Sequence, residues 1–389
     1  MLKNLSLKIL AYLVLIIGNI FRRKRRINPD LVKTILINRT DRIGDAVVSI
    51  PFLLELNKRF KITVLTSQYN DLVLKGIVNT QVFTDTPLPL TKAIARAFGL
   101  IFSFSPAIKK NNEPKYDLYL ELIGISAIDT FLKIKAQNLS RYYAGFNLGP
   151  WNLLLDYSMT QNPVLFSKKN ILDSYRLLLK DSLGLDIKIN DTINLDQYLK
   201  KPADFNLEPA YLLLNISGGD KFRGPRLENY AAILNKLEFP GPIVVMDELS
   251  RPNLEEFKKH TKRENLYYLE RDYSIWELAY IARNSLFYIG SDSGITQLLS
   301  SLTNCIIFFA AGSTYAWRPY SKNAYTLKES SGVIIEESKN SVGLTKKVLY
   351  WPIWCRPCFD IGCSGSYCIK GLDKISVFKE INNTLRALT

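Results

Sequence analysis

The chain has 389 residues, 47% of them hydrophobic, and this length and apolar content predict two domains with packed cores. Its 51 Lys and Arg residues outnumber its 36 Asp and Glu residues, and the net charge of +15 indicates an anionic partner: nucleic acid, anionic lipid or a phosphorylated substrate. The chain has a single His, His260, which lies in a Lys-rich stretch. One such residue excludes a multi-His metal site, and its position in this stretch excludes a His-centred triad.

The N-terminal segment has an apolar run followed by a basic cluster. Residues 5–21 are mostly apolar, and residues 22–26 are all Arg or Lys. A secretory signal has the opposite order, and a spanning helix needs ~20 apolar residues. We therefore predict a membrane-associated helix and basic cluster over residues 1–27, peripherally attached to the cytoplasmic face of the inner membrane through anionic lipid. A core helix followed by a solvated linker is the alternative.

Residues 33–66 have the pattern of a strand, a short polar loop, a helix and a second strand. Such a βαβ unit builds a parallel sheet, and ligands bind beyond the carboxyl ends of its strands. The loop over residues 39–45 therefore points to a site. In this loop Gly44 permits a tight turn, and Asp45 stands near the start of the helix. Asp45 is either an N-cap or a carboxylate that takes a proton from a hydroxyl group, and one residue can do both.

Strand and helix patterns alternate to about residue 200, which predicts a first domain over residues 28–200. Within it we predict a helix over residues 171–184, with Gly184 as its C-terminal cap. A second α/β domain is predicted over residues 209–345. A Cys-rich tail with a C-terminal helix is predicted over residues 346–389.

The second domain begins with a buried strand over residues 211–216 that runs directly into a basic, glycine-containing loop. Glycines allow close backbone approach, and N–H groups and cations bind a diphosphate. The candidate phosphate-binding residues in this loop are Ser217, Gly218, Lys221 and Arg223. A flexible basic loop is the alternative, because the spacing is not that of a Walker P-loop.

Another loop of this kind follows a predicted strand over residues 286–289. Asp292, Ser293 and Gly294 lie between this strand and a predicted helix over residues 295–302. A hydroxyl, backbone N–H groups and a helix dipole attract phosphate. Asp292 would repel phosphate, and it suits hydroxyl groups of ribose or of a sugar. The alternative is an Asp/Ser helix cap.

Four cysteines lie together near the C-terminus: Cys355, Cys358, Cys363 and Cys368. Four thiolates at this spacing can hold a structural zinc ion or an iron–sulfur cluster. In a reducing cytoplasm the alternative is a set of buried thiols.

Two segments carry a resemblance to a known family. The first is Arg42-Ile43-Gly44-Asp45, with Pro51 in the helix that follows. The second covers residues 274–320, where a helix, Asp292-Ser293-Gly294 and Trp317-Arg318-Pro319-Tyr320 succeed one another. Both segments resemble glycosyltransferase family 9, which contains the ADP-heptose:lipopolysaccharide heptosyltransferases.

The chain departs from the pattern of this family in two places. After Gly294 the family has Pro-Met-His, where this chain has Ile295-Thr296-Gln297, and Gln297 can donate a hydrogen bond but carries no charge. In the phosphate loop Arg223 stands at the family's Lys position, and the Trp-Pro pair that follows in the family is missing. A similar Cys-rich tail occurs in many sequences of the family.

The resemblance implies an α/β fold of GT-B architecture, in which two Rossmann-like domains face each other across a cleft. It implies inverting, metal-independent transfer of a sugar, heptose from ADP-heptose, onto a lipopolysaccharide-core or related glycan. Asp45 would be the catalytic base, with Arg42 and Gly44 on the acceptor side. The implied donor site consists of Ser217, Gly218, Lys221, Arg223, Asp292, Ser293, Gly294 and Gln297. The chain contains no Asp-x-Asp for a metal-bridged diphosphate and no G-x-G-x-x-G after a strand.

Three other functions remain open at this point. A related transferase could use a different nucleotide-sugar for a capsule or an O-antigen. A nucleic-acid-binding protein would explain the charge of +15, but no RNA-binding module is present in the sequence. A non-catalytic sugar-binding protein would bind the donor without transferring the sugar.

Overall fold

The computed structural model describes residues 25–83, 114–123, 139–146, 154–159, 169–217, 224–247, 253–310, 312–330, 332–353 and 375–387, with a few isolated positions between them. The chain divides into two compact units. The first contains the described residues up to 159 together with residues 172–189, and the second contains residues 169–171 and those from 190 onward.

Six described strands form the sheet of the first unit: β1 (Thr34–Arg39), β2 (Lys61–Thr66), β3 (Thr80–Val82), β4 (Tyr116–Glu121), β5 (Ser140–Phe146) and β6 (Tyr157–Met159). The strand order is β3-β2-β1-β4-β5-β6, and every neighbouring pair is parallel. Chain order reverses between β1 and β4. In a doubly wound sheet, ligands bind at the carboxyl ends of the strands on either side of that reversal.

The described helices of the first unit follow its strands. They are α1 (Ile43–Asn57), α2 (Gln68–Leu74) and α3 (Ile171–Leu183). The core of the sheet is the apolar run of β1, where Ile35, Leu36 and Ile37 are fully buried. A parallel strand covered on both faces requires such a run. Gly184 has φ +67° immediately after α3, which confirms the predicted glycine cap.

Eight described strands form the sheet of the second unit: β7 (Tyr211–Asn215), β8 (Ile243–Met246), β9 (Leu266–Tyr268), β10 (Ser285–Ser291), β11 (Cys305–Phe309), β12 (Thr326–Ser330), β13 (Val333–Lys339) and β14 (Thr345–Tyr350). The order is β12-β13-β14-β11-β10-β7-β8-β9. The strands from β14 to β9 are parallel, and β13 and β12 are added antiparallel at one edge. Here the chain order reverses between β7 and β10.

The described helices of the second unit connect its strands and end the chain: α4 (Leu227–Asn235), α5 (Leu254–His260), α6 (Ile275–Arg283), α7 (Gly294–Leu302), α8 (Thr314–Trp317) and α9 (Ile375–Arg386). The side chains of Val377, Ile381 and Leu385 bury one face of α9 in the core cluster of this unit. Sequence analysis missed the strands β12 to β14, and its boundary at residue 346 lies within β14.

Both units are Rossmann-like, which confirms the predicted α/β class. Most of the N-terminal segment predicted to associate with the membrane lies outside the described residues. In the part of the chain that the structure describes, no helix combines the length and the apolar character needed to cross a bilayer.

Candidate active site

Asp45 lies in the first turn of α1, just beyond the carboxyl end of β1. The helix begins at Ile43, and its N-cap residue is Arg42, which makes no side-chain cap bond. Asp45 is therefore the third helical residue, and the N-cap interpretation of Asp45 is wrong. Its half-buried carboxylate lies at the positive end of the helix dipole. Of the two predicted acceptor-side residues, Arg42 is exposed and Gly44 is half-buried.

Arg39, the last residue of β1, lies beneath this loop and is only 1% exposed. Its Nη1 donates to the backbone oxygen of Asp45 at 3.3 Å and to the hydroxyl of Tyr175 at 2.7 Å. Its Nη2 forms an ion pair with Asp41. One guanidinium group thus joins the loop, the first turn of α1 and the helix α3, and it holds the backbone from which Asp45 projects.

Asn70 of α2 supports the same loop from another side. Its Nδ2 donates to the backbone oxygens of Arg39 at 2.6 Å and of Asp41 at 2.9 Å. The side chain of Asn70 is fully buried. Buried backbone carbonyls require a partner, so this one amide group satisfies two carbonyls where the chain leaves the sheet.

The buried charges of this cluster shift one another's ionisation. Burial raises the pKa of Asp41 to about 7, an effect that Arg39 opposes and that Asp45 reinforces. Burial alone would lower the pKa of Arg39, but Asp41, Tyr175 and Asp45 more than offset it, and the pKa lies above its usual value. The charge beneath Asp45 therefore depends, near neutral pH, on one proton at Asp41.

A second buried carboxyl group, Glu121, ends the neighbouring strand β4. It accepts hydrogen bonds from Asn38 Nδ2 at 3.0 Å, from the hydroxyl of Tyr119 at 2.5 Å and from the backbone N–H of Ile123 at 2.9 Å. Burial raises the pKa of Glu121 in spite of these bonds. Sequence analysis singled out neither Glu121 nor Asp41, because an acidic residue at a strand end does not reveal its burial.

In the second unit, a chain of buried hydrogen bonds joins the ends of β7 and β10. Asn215 Oδ1 accepts from the backbone N–H of Ser217 at 3.0 Å and from its hydroxyl at 2.7 Å, and Asn215 Nδ2 donates to the hydroxyl of Tyr288 at 3.1 Å. The Tyr288 hydroxyl also bonds to Thr296 Oγ1 at 2.6 Å, which bonds to Ser293 Oγ at 2.9 Å. Two predicted donor-site residues, Ser217 and Ser293, are thereby held in one network.

Asp292 and Ser293 lie at the carboxyl end of β10, where α7 begins at Gly294. The N-cap residue is Ser293, whose side chain accepts from the backbone N–H of Thr296. Asp292 is therefore not the cap, and its side chain is 7% exposed. A Cβ atom at Gly312 would lie 2.8 Å from Asp292 Oδ2, so a larger residue at this position would require the carboxylate to shift.

Gln297 occupies the position at which family 9 has a His. Its Nε2 donates to the backbone oxygen of Trp317 at 2.8 Å. The next residue, Arg318, pairs with Glu336 at 2.5 Å, and its backbone oxygen accepts from Asn170 Nδ2 at 2.9 Å. The side chain of Gln297 therefore connects α7 to the segment that carries the Trp317-Arg318-Pro319-Tyr320 motif.

The central strands of the two units end in the same local structure. Asn38 Oδ1 accepts from the backbone N–H of Thr40 at 3.2 Å and from its hydroxyl at 2.9 Å. Asn215 makes the corresponding bonds to Ser217. An Asn two residues before a Ser or Thr thus shapes the exit from each central strand, a short pattern that sequence analysis missed.

The remaining predicted residues fall largely outside the described residues. This holds for Gly218, Lys221 and Arg223 of the phosphate loop and for Cys355, Cys358 and Cys363 of the tail. Cys368 is described and half-buried. Within the described ranges, no group of three or more His, Cys, Asp or Glu side chains is arranged to hold a metal ion.

No protein-family model matches the amino-acid sequence, and no curated protein matches it either. Solved structures do match the fold. The structure of E. coli ADP-heptose lipopolysaccharide heptosyltransferase II is 13% identical, with a TM-score of 0.55 over 92% of this chain and 98% of that chain. A family 9 glycosyltransferase from Veillonella parvula is 12% identical, with a TM-score of 0.54 over 76% of this chain and 85% of that chain.

A third structure has the same fold. E. coli heptosyltransferase WaaC, with ADP-2-deoxy-2-fluoro heptose, is 17% identical, with a TM-score of 0.52 over 75% of this chain and 91% of that chain. The chain has the family 9 fold. This confirms the predicted fold of two Rossmann-like units, as in GT-B structures. In each unit of this chain the polar residues described above lie at the carboxyl ends of the central strands.

Proposed function

We propose that the chain is a glycosyltransferase of family 9 that moves a sugar from a nucleotide donor to a hydroxyl group of a glycan. The favoured donor is ADP-heptose, because two of the three structures of similar fold are those of heptosyltransferases, one of them with an ADP-heptose analogue. The favoured acceptor is a lipopolysaccharide core or a related cell-surface glycan.

One observation carries the proposal: the hydrogen-bond network of the second unit ends at Ser217 and Ser293, beside Asp292, where chain order reverses. Such a reversal is where doubly wound sheets bind nucleotides. The N-terminus of α7, a nine-residue helix, offers backbone N–H groups and a positive dipole end to phosphate oxygens. Asp292 is suited to the hydroxyl groups of the ribose or of the sugar.

The proposed reaction is a single inverting displacement. Asp45 takes the proton of the acceptor hydroxyl, whose oxygen forms a bond to the anomeric carbon of the donor. The bond from that carbon to the diphosphate breaks, and the nucleoside diphosphate leaves with the electron pair. Lys221, Arg223 and the N-terminus of α7 offset the charge that develops on it. No step of this proposal requires a metal ion.

The donor site is tested by thermal unfolding with ADP, UDP, GDP, CMP and dTDP. A ligand at 100 times its dissociation constant stabilises the folded protein by ~2.7 kcal/mol, which a thermal shift detects. We expect a shift with ADP that is weakened in Asp292→Ala. Asp204→Ala, which removes an exposed carboxylate paired with Arg271, is the control and should keep the full shift. A chain that no nucleotide stabilises would contradict the proposal and favour the nucleic-acid alternative.

The catalytic role of Asp45 is tested with Asp45→Asn. We expect loss of sugar transfer and unchanged affinity for the donor, because the two sites lie in different units. Transfer at the wild-type rate would contradict the role of base. Donor binding without transfer by the wild-type chain would support the sugar-binding alternative.

Attachment to the cytoplasmic face of the inner membrane is part of the proposal. It is supported by the apolar residues 5–21 and the basic residues 22–26, since each cation near an anionic surface contributes ~1 kcal/mol. Sedimentation with vesicles tests it. We expect binding to vesicles that contain anionic phospholipid, and weaker binding when Arg22, Arg23 and Lys24 are replaced with Gln. Equal binding to purely zwitterionic vesicles would contradict it.

A further inference from the structure

Three buried polar atoms beneath the Asp45 loop have no hydrogen-bond partner. They are Arg39 Nε, Asp41 Oδ1 and Asn70 Oδ1, out of five such atoms among the described residues. Proteins rarely leave buried polar atoms unpaired, and a group of them in one cluster requires an explanation. The other atoms of the same three side chains are all engaged in holding the loop that carries Asp45.

Two of these three atoms are acceptors, and they belong to two residues that are in contact. Asn70 Nδ2 already donates to the backbone oxygen of Asp41, so the amide group lies against this residue. As a carboxylate, Asp41 can only accept hydrogen bonds; once protonated, it also becomes a donor. A proton on Asp41 would therefore supply a donor to a group of atoms in which acceptors are in excess.

The charged and titratable groups around Asp41 come from four elements, of which α3 contributes the hydroxyl of Tyr175, the hydrogen-bond partner of Arg39. Arg39 of β1 pairs with it directly, Asp45 of α1 acts on it as a like charge, and Glu121 of β4 does so more weakly. The Asp41 side chain is only 10% exposed. Burial is the largest cause of the shift that brings the pKa of Asp41 to about 7, so this carboxyl group changes its charge in the physiological range.

We propose that Asp41 is a positioning residue that sets the basicity of Asp45 through their shared neighbour Arg39, an inference that rests on the proposed role of Asp45. When Asp41 is ionised, it neutralises the guanidinium of Arg39. When Asp41 is protonated, the charge of Arg39 acts on Asp45 alone, which stabilises the Asp45 carboxylate and makes it a weaker base. Transfer therefore slows as the pH falls and Asp41 takes up its proton.

The variant that tests this is Asp41→Asn, which keeps the shape of the side chain and removes its charge. We expect kcat to fall roughly tenfold at about pH 8, because the base is weakened. In the wild-type chain kcat/KM should decrease below about pH 7, where Asp41 takes up its proton. This inflection should disappear in the variant, and KM for the donor should stay unchanged.

Two further variants separate the effect of charge from that of structure. Asn70→Ser loosens the loop but leaves the charges in place, so it should lower kcat without moving the pH profile. Asp117→Asn removes a carboxylate that accepts from Thr34 at the opposite, amino end of the same sheet. It should leave the profile of kcat/KM unchanged.

Thermal unfolding gives a readout that does not depend on activity. The pKa of Asp41 is higher in the folded than in the unfolded chain, so the folded state binds more protons between about pH 4 and about pH 7. This contribution to stability is present below about pH 4 and is lost as the pH rises through about 7. The Asp41→Asn variant lacks this contribution. The difference between the Tm of the variant and that of the wild type should therefore increase from about pH 5 to about pH 8.

The outcomes distinguish the inference from the proposed function. If the wild type transfers sugar and Asp41→Asn keeps the wild-type pH profile, the inference is overturned and the proposed function stands. A relative Tm that does not change with pH also overturns it, because Asp41 would not titrate. If the relative Tm changes as expected but the wild type transfers no sugar, the proposed function fails, and with it the link from Asp41 to Asp45.

Discussion

Replacement of Tyr288 with Phe tests whether the buried network of the second unit holds the donor site. The substitution removes one hydroxyl oxygen and leaves the ring in the core. In the wild type this oxygen accepts from Asn215 Nδ2 at 3.1 Å and bonds to Thr296 Oγ1 at 2.6 Å. Thr296 Oγ1 keeps two other partners, Ser293 Oγ and the backbone oxygen of Ser291. Asn215 Nδ2 is therefore the group that is left without a hydrogen-bond partner.

The expected loss of stability follows from the hydrogen bond that Asn215 loses. Its side chain is fully buried, and its Nδ2 would have no other bond that the structure shows. A buried donor left without a partner costs about 1–3 kcal/mol, so the free energy of unfolding should fall by about that amount. Asn215 also orients Ser217 through two hydrogen bonds. We therefore expect affinity for ADP to fall by about tenfold, equivalent to ~1.4 kcal/mol.

The assay combines urea unfolding with calorimetric titration of ADP, and Tyr211→Phe is the matched control. The hydroxyl of Tyr211 is also buried, and it donates to the backbone oxygen of Ile281 at 2.5 Å. Tyr211 is the first residue of β7, at the end of the strand away from the site. The control should lose stability but keep its affinity for ADP. If Tyr288→Phe loses stability while ADP affinity stays at the wild-type value, the network does not hold the donor site and the reasoning is refuted.

Three other substitutions give expected outcomes. Gly312→Ala places a Cβ atom 2.8 Å from Asp292 Oδ2, so calorimetry should show weaker ADP binding with nearly unchanged stability; unchanged affinity would contradict a role of Asp292 in the donor site. Ser274→Ala removes half of a capping box with Glu277 and should destabilise α6 by about 1 kcal/mol in urea unfolding, without an effect on ADP. Ile381→Ala empties a fully buried position of α9 and should cost about 2–5 kcal/mol; a smaller loss would show that α9 contributes little to the core.

Most elements of the two sheets could be predicted because their patterns are local. β7 lies within the strand predicted over residues 211–216, and α7 covers the helix predicted over residues 295–302. The strands β12 to β14 were missed. β12 is mostly exposed, and β14 carries two lysines that are buried only through partners elsewhere in the fold, such as Glu380 with Lys347. No local pattern reveals such long-range pairing.

The residues of the candidate site also divide into those that a local sequence pattern reveals and those that it does not. Asp45 and Asp292 could be named from the sequence, because each stands in a short motif between a strand and a helix, which is where parallel sheets bind ligands. The roles of Arg39, Asp41 and Asn70 could not, because charged and amide side chains are usually solvated. The tertiary structure determines the roles of these three residues. α2 and α3 close over the end of β1, remove these side chains from water and bring Asn70 and Tyr175 onto the loop. Local order is encoded in neighbouring residues, whereas burial, and the ionisation that follows from it, depends on segments more than a hundred positions apart.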